Sequence, residues 1–325
     1  MDPRTLEFLR LVLGLLLSFF LSSFLVKRKI KSSRVGQQER NYLDNHIIKN
    51  GTPTMGGVPI VISTIIIFLA LTFKDSLPKE IITLLVIYLG FFLVGFVDDY
   101  SKLKLKSYRG ISGKLRLLLE TFFVIWGLVV ISKNIDINNL LSFSLNGKEL
   151  TLGILTIPAI VFIIVGSANA FNLTDGLDGL ASGLCIIALI PLIMISLISN
   201  QFYLALFLIT QVGSLLGFLC FNIHPAKIFM GDVGSLPLGA LLGTTAIILN
   251  KPLILLIAGL IFVLETISVI IQVVSFQTTG KRVFLMTPIH HHFEKMGWPE
   301  WKVVMVFWLV GIILAIVAVA AGVLG

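Results

Sequence analysis

The sequence predicts an all-α polytopic membrane protein. Its 325 residues are 56% hydrophobic and 13% charged, and their mean hydropathy is +0.99. Soluble globular domains contain about 45–50% apolar and about 25% charged residues, so this chain is too apolar to be one. Apolar runs as long as a membrane-spanning helix recur along the whole chain. We therefore predict a single integral membrane domain over residues 1–325.

Ten apolar runs have the length of a transmembrane helix, for which about 20 residues are needed. The first run, 5–26, has no small-residue cleavage motif and is followed at once by Lys27, Arg28 and Lys29. It is therefore expected to be an uncleaved span rather than a signal peptide. The other runs are 58–73, 81–97, 115–132, 153–171, 178–199, 202–221, 234–249, 252–276 and 302–324.

Lysine and arginine residues predict how these spans are oriented, since short loops rich in positive charge stay in the cytoplasm. They concentrate in alternate loops, above all in 27–49, 102–116 and 281–302. Both termini are therefore expected outside the cytoplasm, and most of the +8 net charge is expected on the inner face. Residues 141–147 alternate between apolar and polar before ending in Asn-Gly, which predicts a small external β-hairpin.

The unusual polar motifs all fall on the predicted cytoplasmic side. If polar motifs were distributed at random, some would be expected on the opposite face. Their concentration on one face predicts that five cytoplasmic loops form one composite site. The five motifs are 49–57, 98–99, 172–179, 222–232 and 288–294.

Aspartates in these loops predict a metal site. Asp98 and Asp99 follow an apolar span, where a carboxylate is costly unless it faces water, a cation or a partner. Asp175, Asp178 and Asp232 are expected on the same side. Carboxylates without Cys/His ligand spacing favour a hard cation, and Mg²⁺ is the usual one where a substrate supplies phosphate oxygens. The neighbouring lysines indicate a polyanionic ligand.

Several acidic residues also have simpler interpretations. Asp99 could pair with Lys102 at the membrane surface, and Asp178 could be the N-cap of the sixth helix. Glu120 and Glu265 lie within apolar helices, where each could pair with a basic residue or contact the substrate. The sequence leaves these alternatives open.

Three consecutive histidines, His290, His291 and His292, precede the tenth span. Adjacent residues cannot easily converge on one small ion, and no carboxylate or cysteine lies at zinc-like spacing. Phosphate binding or hydrogen bonds that fix the loop are the interpretations that remain.

Taken together, these motifs resemble those of the polyprenyl-phosphate N-acetylhexosamine-1-phosphate transferase superfamily, and within it those of the phospho-N-acetylmuramoyl-pentapeptide transferases (the MraY family). The resemblance covers the whole chain, and the motifs match in order and without departure from the family pattern. They are Gly51–Gly57, Asp98–Asp99, Asn172–Gly179, Phe229–Asp232 and Pro288–Glu294.

The resemblance implies a reaction of peptidoglycan synthesis, in which phospho-MurNAc-pentapeptide passes from UDP-MurNAc-pentapeptide to undecaprenyl phosphate and yields lipid I and UMP. It implies Mg²⁺ as cofactor, a homodimer, a bacterial cytoplasmic membrane location with the active site on the inner face, and no nucleic-acid partner. A membrane enzyme suits this reaction physically, because one substrate is a long isoprenoid lipid and the other is a cytosolic polyanion.

Catalytic roles follow residue by residue from the same resemblance. Asp98, Asp99 and Asp232 would be catalytic, and Asp232 together with Asp98 would bind the metal. Asp98 would either deprotonate the lipid phosphate for direct attack or attack the nucleotide itself. We favour direct attack, since a phosphate monoester is already a competent nucleophile. Asp99 would assist the metal or the lipid phosphate.

Substrate-binding roles are implied for a larger set. The uridine pocket would be lined by Asn172, Asp175, Gly176, Leu177, Asp178 and Phe229. Lys49, Thr54, Asn222 and Gln272 would surround the nucleotide. Lys114 would lie near the phosphates, and His290, His291 and His292 would contact the sugar, peptide or phosphate.

Two rival functions predict different observations. A sister polyprenyl-phosphate GlcNAc-1-phosphate transferase would share the aspartates and the fold, and the 52–57 and 290–294 motifs favour the muramoyl-pentapeptide enzyme over it. A membrane transporter would also have many spans with carboxylates. Transporters usually hold ionisable residues near the membrane midplane and show paired halves, whereas this sequence has neither feature.

Overall fold

The computed structural model describes residues 2–32, 51–105, 110–132, 137–145 and 148–324. Within them the chain forms two short strands and a series of α-helices. The strands β1 (Ser142–Leu145) and β2 (Lys148–Thr151) pair antiparallel. The helices are α1 (Pro3–Ser32), α2 (Gly57–Leu71), α3 (Lys79–Leu105), α4 (Gly113–Ile131), α5 (Thr156–Thr174), α6 (Leu180–Ile198), α7 (Phe202–Asn222), α8 (Asp232–Ile248), α9 (Pro252–Ala258), α10 (Leu260–Thr279), α11 (Ile289–Lys295) and α12 (Glu300–Leu324).

Seven helices in the described part of the chain are long and apolar enough to cross a membrane. They are α1, α3, α5 together with the short turn before it, α6, α7, α10 and α12. Helices α2 and α8 are apolar but shorter, with 15 and 17 residues. Helix α4 has 19 residues, which include Lys114, Arg116 and Glu120. The chain is thus a predominantly helical, polytopic membrane protein.

The predicted end of the third span, at residue 97, is wrong. Helix α3 continues to Leu105, so Asp98 and Asp99 lie within its last two turns rather than in a loop. The apolar run stops at these residues, but the helix does not, because the ammonium of Lys102 pairs with both carboxylates across one turn. Helical geometry therefore fixes the spacing of the aspartates.

The predicted ninth span, 252–276, is two helices instead of one. They are α9 and α10, and they meet at Gly259. The Gly259 N–H donates to the Leu255 carbonyl at 2.7 Å and closes α9. Glycine has no side chain to favour helical dihedral angles, so a helix is easily interrupted there.

Helix α8 lies at the centre of the fold and is nearly all buried. It packs against α3 and α5. A β-carbon at Gly57 would overlap the backbone of Gly234, so the first turns of α2 and α8 touch. Asp232, the first residue of α8, therefore lies where α2, α3, α5 and α8 converge.

A buried polar network links α2, α3 and α7 within the apolar core. Tyr88 Oη donates to Gln211 Oε1 at 2.6 Å, and Thr64 Oγ1 donates to Ser214 Oγ at 3.0 Å. The Tyr88 ring meets the Phe207 ring edge to face. Unpaired polar groups in such an environment are costly, so these hydrogen bonds fix how the three helices pack.

Candidate active site

Asp98 and Asp99 are both buried at the end of α3, with 3% and 2% exposure. Each carboxylate accepts a backbone hydrogen bond from another segment. The Ile111 N–H donates to Asp98 Oδ1 at 2.8 Å, and the Val233 N–H donates to Asp99 Oδ2 at 3.0 Å. These bonds orient the two adjacent side chains towards α4 and α8, respectively.

Asp232 reaches the same place from the N-terminus of α8. The Asn172 amide donates to Asp232 Oδ1 at 2.8 Å, and the same amide donates to Ser235 Oγ at 2.8 Å. Gly231 precedes it with φ of 76°, and a β-carbon there would overlap the Asp99 carboxylate. Glycine is therefore required for the chain to bring Asp232 this close to Asp99.

Lys102 is the counter-ion of this aspartate cluster, which we define as Asp98, Asp99 and Asp232. Its Nζ atom lies 2.6 Å from Asp98 Oδ2, 3.4 Å from Asp99 Oδ1 and 3.0 Å from Asp232 Oδ2. The sequence indicated Lys102 only as a possible partner of Asp99. The structure places its ammonium among all three carboxylates.

The aspartate cluster fits a divalent cation. One oxygen from each carboxylate can be chosen so that all three lie within 4.8 Å of one another. Carboxylate oxygens are the ligands that Mg²⁺ prefers. The ammonium of Lys102 shows that the space between them accepts positive charge.

Arg116 is a second basic residue at the cluster, and sequence analysis missed it. Its Nη1 atom lies 3.5 Å from Asp232 Oδ2. The predicted cation, Lys114, is exposed in the first turn of α4. Two residues along a helix point to nearly opposite sides, so only one of these side chains can face the cluster. The spacing of Arg116 to Glu120, four residues later, is the sequence signal that could have identified it.

A polar cavity of about 190 Å³ adjoins the aspartate cluster. It brings together many of the residues that the sequence predicts for the uridine pocket, and it adds Met230 and Gly231. Its lining is Asp99, Asn172, Asp175, Gly176, Leu177, Asp178, Asn222, Phe229, Met230, Gly231 and Asp232.

The pKa of Asp175 reflects the number of carboxylates around this cavity. It lies just past the end of α5. Burial, together with the nearby charges of Asp232, Asp99 and Asp178, raises the pKa of Asp175 to about 7. Crowded carboxylates raise one another's pKa because a second negative charge is unfavourable beside the first. A bound cation would relieve this repulsion.

Asp178 is another residue that lines the cavity. Its Oδ2 accepts the Ala226 N–H at 3.0 Å and lies 3.1 Å from His224 Nδ1. Its backbone N–H donates to Glu300 Oε1 at 2.7 Å. The alternative role as N-cap of the sixth helix is wrong: Gly179 is the cap of α6, and it makes no side-chain capping bond. Asp178 instead ties the start of α6 to the segment after α7 and to α12.

Asn222, which also lines the cavity, makes three hydrogen bonds with its side chain. Its Oδ1 accepts the Gly179 N–H at 3.1 Å and the Ser182 hydroxyl at 3.0 Å, and its amide donates to the Ile228 carbonyl at 3.0 Å. These bonds engage both ends of the Asn222 side chain with protein partners. Its contribution to the pocket is therefore largely one of shape.

The segment before α2 runs beside the Phe229–Gly231 segment. The Phe229 N–H donates to the Pro53 carbonyl, and the Gly56 N–H donates to the Phe229 carbonyl, both at 2.8 Å. Thr54 is buried between them, close to Gly231. Lys49 lies outside the described residues.

The three histidines do not line the cavity. His290 is fully buried, with Nδ1 3.0 Å from Glu265 Oε1, and its ring packs against Gly176. His291 Nδ1 lies 2.6 Å from Glu294 Oε2. Nδ1 of His292 accepts the Leu285 N–H at 3.1 Å. All three contacts are of the kind that fixes a loop, and phosphate binding by these histidines stays a prediction.

Gln272 has a comparable bracing role. Its Oε1 accepts the N–H groups of Val283 and Phe284, and its Nε2 donates to the Phe284 carbonyl, all at 3.0 Å. The side chain thus fastens the segment after α10 back onto that helix. Gln272 is not among the residues that line the cavity.

The fold and the site together define a class of protein. It is a polytopic membrane protein with an aspartate cluster that fits a metal ion, pairs with two basic residues and borders a polar cavity. Comparison with known proteins specifies the family. Residues 81–250 match the model of glycosyl transferase family 4. Residues 49–61 match the phospho-N-acetylmuramoyl-pentapeptide-transferase signature 1.

Curated relatives with this name are similar over nearly the whole chain. The phospho-N-acetylmuramoyl-pentapeptide-transferase of Bacillus subtilis (strain 168) is 41% identical over 95% of both chains. That of Wolbachia sp. subsp. Brugia malayi (strain TRS) is 42% identical over 98% of both, and that of Bacillus thuringiensis (strain Al Hakam) is 44% identical over 86% of both. The chain belongs to the phospho-N-acetylmuramoyl-pentapeptide-transferase family.

Proposed function

We propose that this protein transfers phospho-MurNAc-pentapeptide from UDP-MurNAc-pentapeptide to undecaprenyl phosphate, forming lipid I and releasing UMP in peptidoglycan synthesis. The observation that carries the proposal is the aspartate cluster at the edge of a polar cavity, in a chain 41% identical to a phospho-N-acetylmuramoyl-pentapeptide-transferase over 95% of its length. Family membership supports transferase activity, and the cluster and cavity support the proposal that a phosphorylated substrate binds beside them.

The proposed setting is the bacterial cytoplasmic membrane, with the active site on its inner face. We assign ten crossings, in which α2, α4 and α8 join the seven helices that are long and apolar enough to span a membrane. Both termini and the β1–β2 pair would lie outside the cytoplasm, as the distribution of lysine and arginine residues favours. A homodimer is proposed from the resemblance alone.

Asp232 and Asp98 would hold Mg²⁺, with Asp99 as their neighbour. The oxygen atoms of all three carboxylates are close enough to share one ion. Bound Mg²⁺ would neutralise charge on the substrate's diphosphate as the phosphoanhydride bond breaks. For the ion to bind there, the ammonium of Lys102 must leave the position it occupies between the carboxylates.

Asp98 would be the catalytic carboxylate in a direct transfer. An oxygen of the lipid phosphate attacks the phosphorus atom that carries the sugar, while the bond from that phosphorus to the bridging oxygen breaks. The electron pair of the broken bond remains on UMP. Asp98 would take a proton from the lipid phosphate, and the Ile111 N–H holds the carboxylate in place from the side of Oδ1.

The cavity would receive the uridine nucleotide. Asn172, Asp175, Leu177, Asp178 and Phe229 would line it around the base and ribose. Arg116 would take the place beside the phosphates that the resemblance suggested for Lys114, since its guanidinium lies next to Asp232. The predicted roles of Lys49, Thr54 and the histidine loop remain proposals.

A reconstitution assay tests the proposed function. Purified protein is mixed with undecaprenyl phosphate, Mg²⁺ and either UDP-MurNAc-pentapeptide or UDP-GlcNAc, and UMP and lipid products are measured. We expect turnover only with UDP-MurNAc-pentapeptide, its loss on chelation of Mg²⁺, and its return when Mg²⁺ is restored. Turnover with UDP-GlcNAc alone would reassign the protein to the sister transferases, and full activity in the chelator would remove the metal from the mechanism.

A further inference from the structure

Glu120 is a buried carboxylate that the proposed mechanism does not use. It lies in the second turn of α4 with 0% exposure. Its Oε2 accepts the Asn169 side-chain amide at 2.8 Å, and its Oε1 lies 3.6 Å from Arg116 Nε. A carboxylate in an apolar helix is costly without partners, and these two residues supply them.

Asn169 connects the same two residues from α5. Its amide donates to Glu120, and its Oδ1 accepts Arg116 Nη2 at 2.8 Å. A guanidinium can only donate hydrogen bonds, so Asn169 Oδ1 must face Arg116 and the Asn169 amide nitrogen must face Glu120. The amide also donates to the Val165 carbonyl at 2.9 Å, which anchors it to its own helix.

The opposite edge of Arg116 faces the aspartate cluster. Its Nη1 atom lies 3.5 Å from Asp232 Oδ2, which is longer than the ~2.7–2.9 Å of a charge-assisted hydrogen bond. Nη1 is therefore close to the Asp232 carboxylate but does not form a short hydrogen bond with it. Nη2, by contrast, is committed to Asn169 at 2.8 Å.

We propose that Glu120 and Asn169 are positioning residues that hold the Arg116 guanidinium so that its Nη1 edge faces the diphosphate of the nucleotide substrate. This inference rests on the proposed function. Glu120 balances the charge of Arg116 from behind and keeps the guanidinium from closing onto Asp232. Asn169 fixes the plane of the guanidinium, and a planar fork must be correctly oriented to bind phosphate oxygens in pairs.

The proposal predicts an effect on substrate affinity rather than on the chemical step. Arg116 would contact the diphosphate both before and during transfer, and the loss of such uniform binding raises KM with little change in kcat. In Glu120→Gln the acceptor for Asn169 remains but the charge is lost. We expect KM for UDP-MurNAc-pentapeptide to rise about tenfold, a typical effect of weakening one charge-assisted contact, and kcat to stay within about threefold.

A double-mutant cycle with Arg116→Ala tests whether Glu120 and Asn169 act through Arg116. Full-length purified Glu120→Gln and Asn169→Ala are each compared with wild type, and again in the Arg116→Ala background. We expect neither substitution to change KM further once Arg116 is absent. A purely structural role for Glu120 would give the same change in both backgrounds.

Thr83→Val is the matched control. The Thr83 hydroxyl donates to the Gly127 carbonyl at 3.1 Å, so this change removes a buried contact between α3 and α4 that does not involve Arg116. Its KM should match that of wild type. Unchanged KM in Glu120→Gln, or an equal rise in the Arg116→Ala background, overturns the proposal while wild type remains active. Wild-type protein that does not turn over the substrate would contradict the proposed function itself.

Discussion

At the scale of single residues, the aspartate cluster contains the strongest predictions of loss of activity. Asp98→Asn and Asp232→Asn should each lower the rate of UMP release by at least about 100-fold, because each removes a charged oxygen that the proposed mechanism uses for proton transfer or metal binding. Both variants should stay folded, since asparagine retains an acceptor oxygen. Thermal unfolding and UMP release measured on the same samples check this.

Asp75→Asn is a suitable control for those variants. Asp75 pairs with Arg10 at 2.6 Å, in the segment between α2 and α3 and away from the aspartate cluster. The turnover of the Asp75→Asn variant should stay close to that of wild type. Normal turnover in either cluster variant would remove that aspartate from the catalytic mechanism.

Asp175 gives a prediction about pH and stability. Its pKa is raised to about 7 from an ordinary value of 3.8, so the folded protein binds a proton there that the unfolded chain has already released. The free energy of unfolding should therefore fall as pH rises between these two values. Asp175→Asn should raise the Tm of metal-free protein at pH 8 and leave it nearly unchanged near pH 4.

Thermal unfolding with chelator present, at both pH values, measures this effect. An equal change in Tm at pH 4 and at pH 8 would show that Asp175→Asn acts through packing instead of charge. A lower Tm at pH 8 alone would mean that the ionised carboxylate has a stabilising partner.

The aspartates of the cluster are easier to recognise in the sequence than their basic partners. Asp98, Asp99 and Asp232 stand out because carboxylates are rare beside apolar runs. Lys102 and Arg116 are ordinary cations in a basic loop, and only the helical spacing to Asp98 and Glu120 distinguishes them from Lys104 or Lys114. Gln272 and His292 were predicted as ligands from the resemblance; the structure shows that both side chains bind backbone N–H groups of the segment after α10, and their contact with substrate stays a prediction.

At the scale of helices, apolar runs predicted where helices occur, but they missed the C-terminal end of α3 and the break between α9 and α10. Helix α3 extends beyond its apolar run because charged side chains pair along its surface, and α9 is separated from α10 within an apolar run at Gly259. Hydropathy alone indicates neither the pairing of charged side chains along α3 nor the break at Gly259. The consequence for the site is that helical geometry fixes the spacing of Asp98 and Asp99.

The buried network between α2, α3 and α7 yields a prediction about stability. Tyr88→Phe removes the donor to Gln211 Oε1 and should lower the free energy of unfolding by about 1 kcal/mol, the usual net contribution of one hydrogen bond. Turnover should be unaffected, because the network lies in the core between the helices. Tyr100→Phe, which removes an exposed hydroxyl from the same helix, is the control.

Thermal unfolding of both variants in one detergent makes the comparison. A decrease of equal size for Tyr100→Phe would show that the loss does not come from the Gln211 bond. An unchanged Tm for Tyr88→Phe would mean that another partner replaces the tyrosine hydroxyl.

At the scale of the whole molecule, the ten-crossing arrangement predicts which surfaces face the cell exterior. In a variant with Cys185 and Cys220 replaced by alanine, Lys74→Cys should react with a membrane-impermeant maleimide in intact cells. Lys281→Cys should react only after the membrane is permeabilised. Both positions are exposed, and they lie on opposite faces in the proposed topology. Labelling in the reverse order would invert that topology and move the active site to the outer face.

The position of Lys102 has a consequence for how the protein is made. Three carboxylates from α3 and α8 would repel one another in a newly inserted chain, but Lys102 belongs to α3 itself and pairs with Asp98 at 2.6 Å. Helices α3 and α8 can therefore pack together with the ammonium of Lys102 between their carboxylates. Packing of these two helices would then not depend on a divalent ion, and the proposed Mg²⁺ would bind after assembly, in exchange for an ammonium group that stays attached one helical turn away.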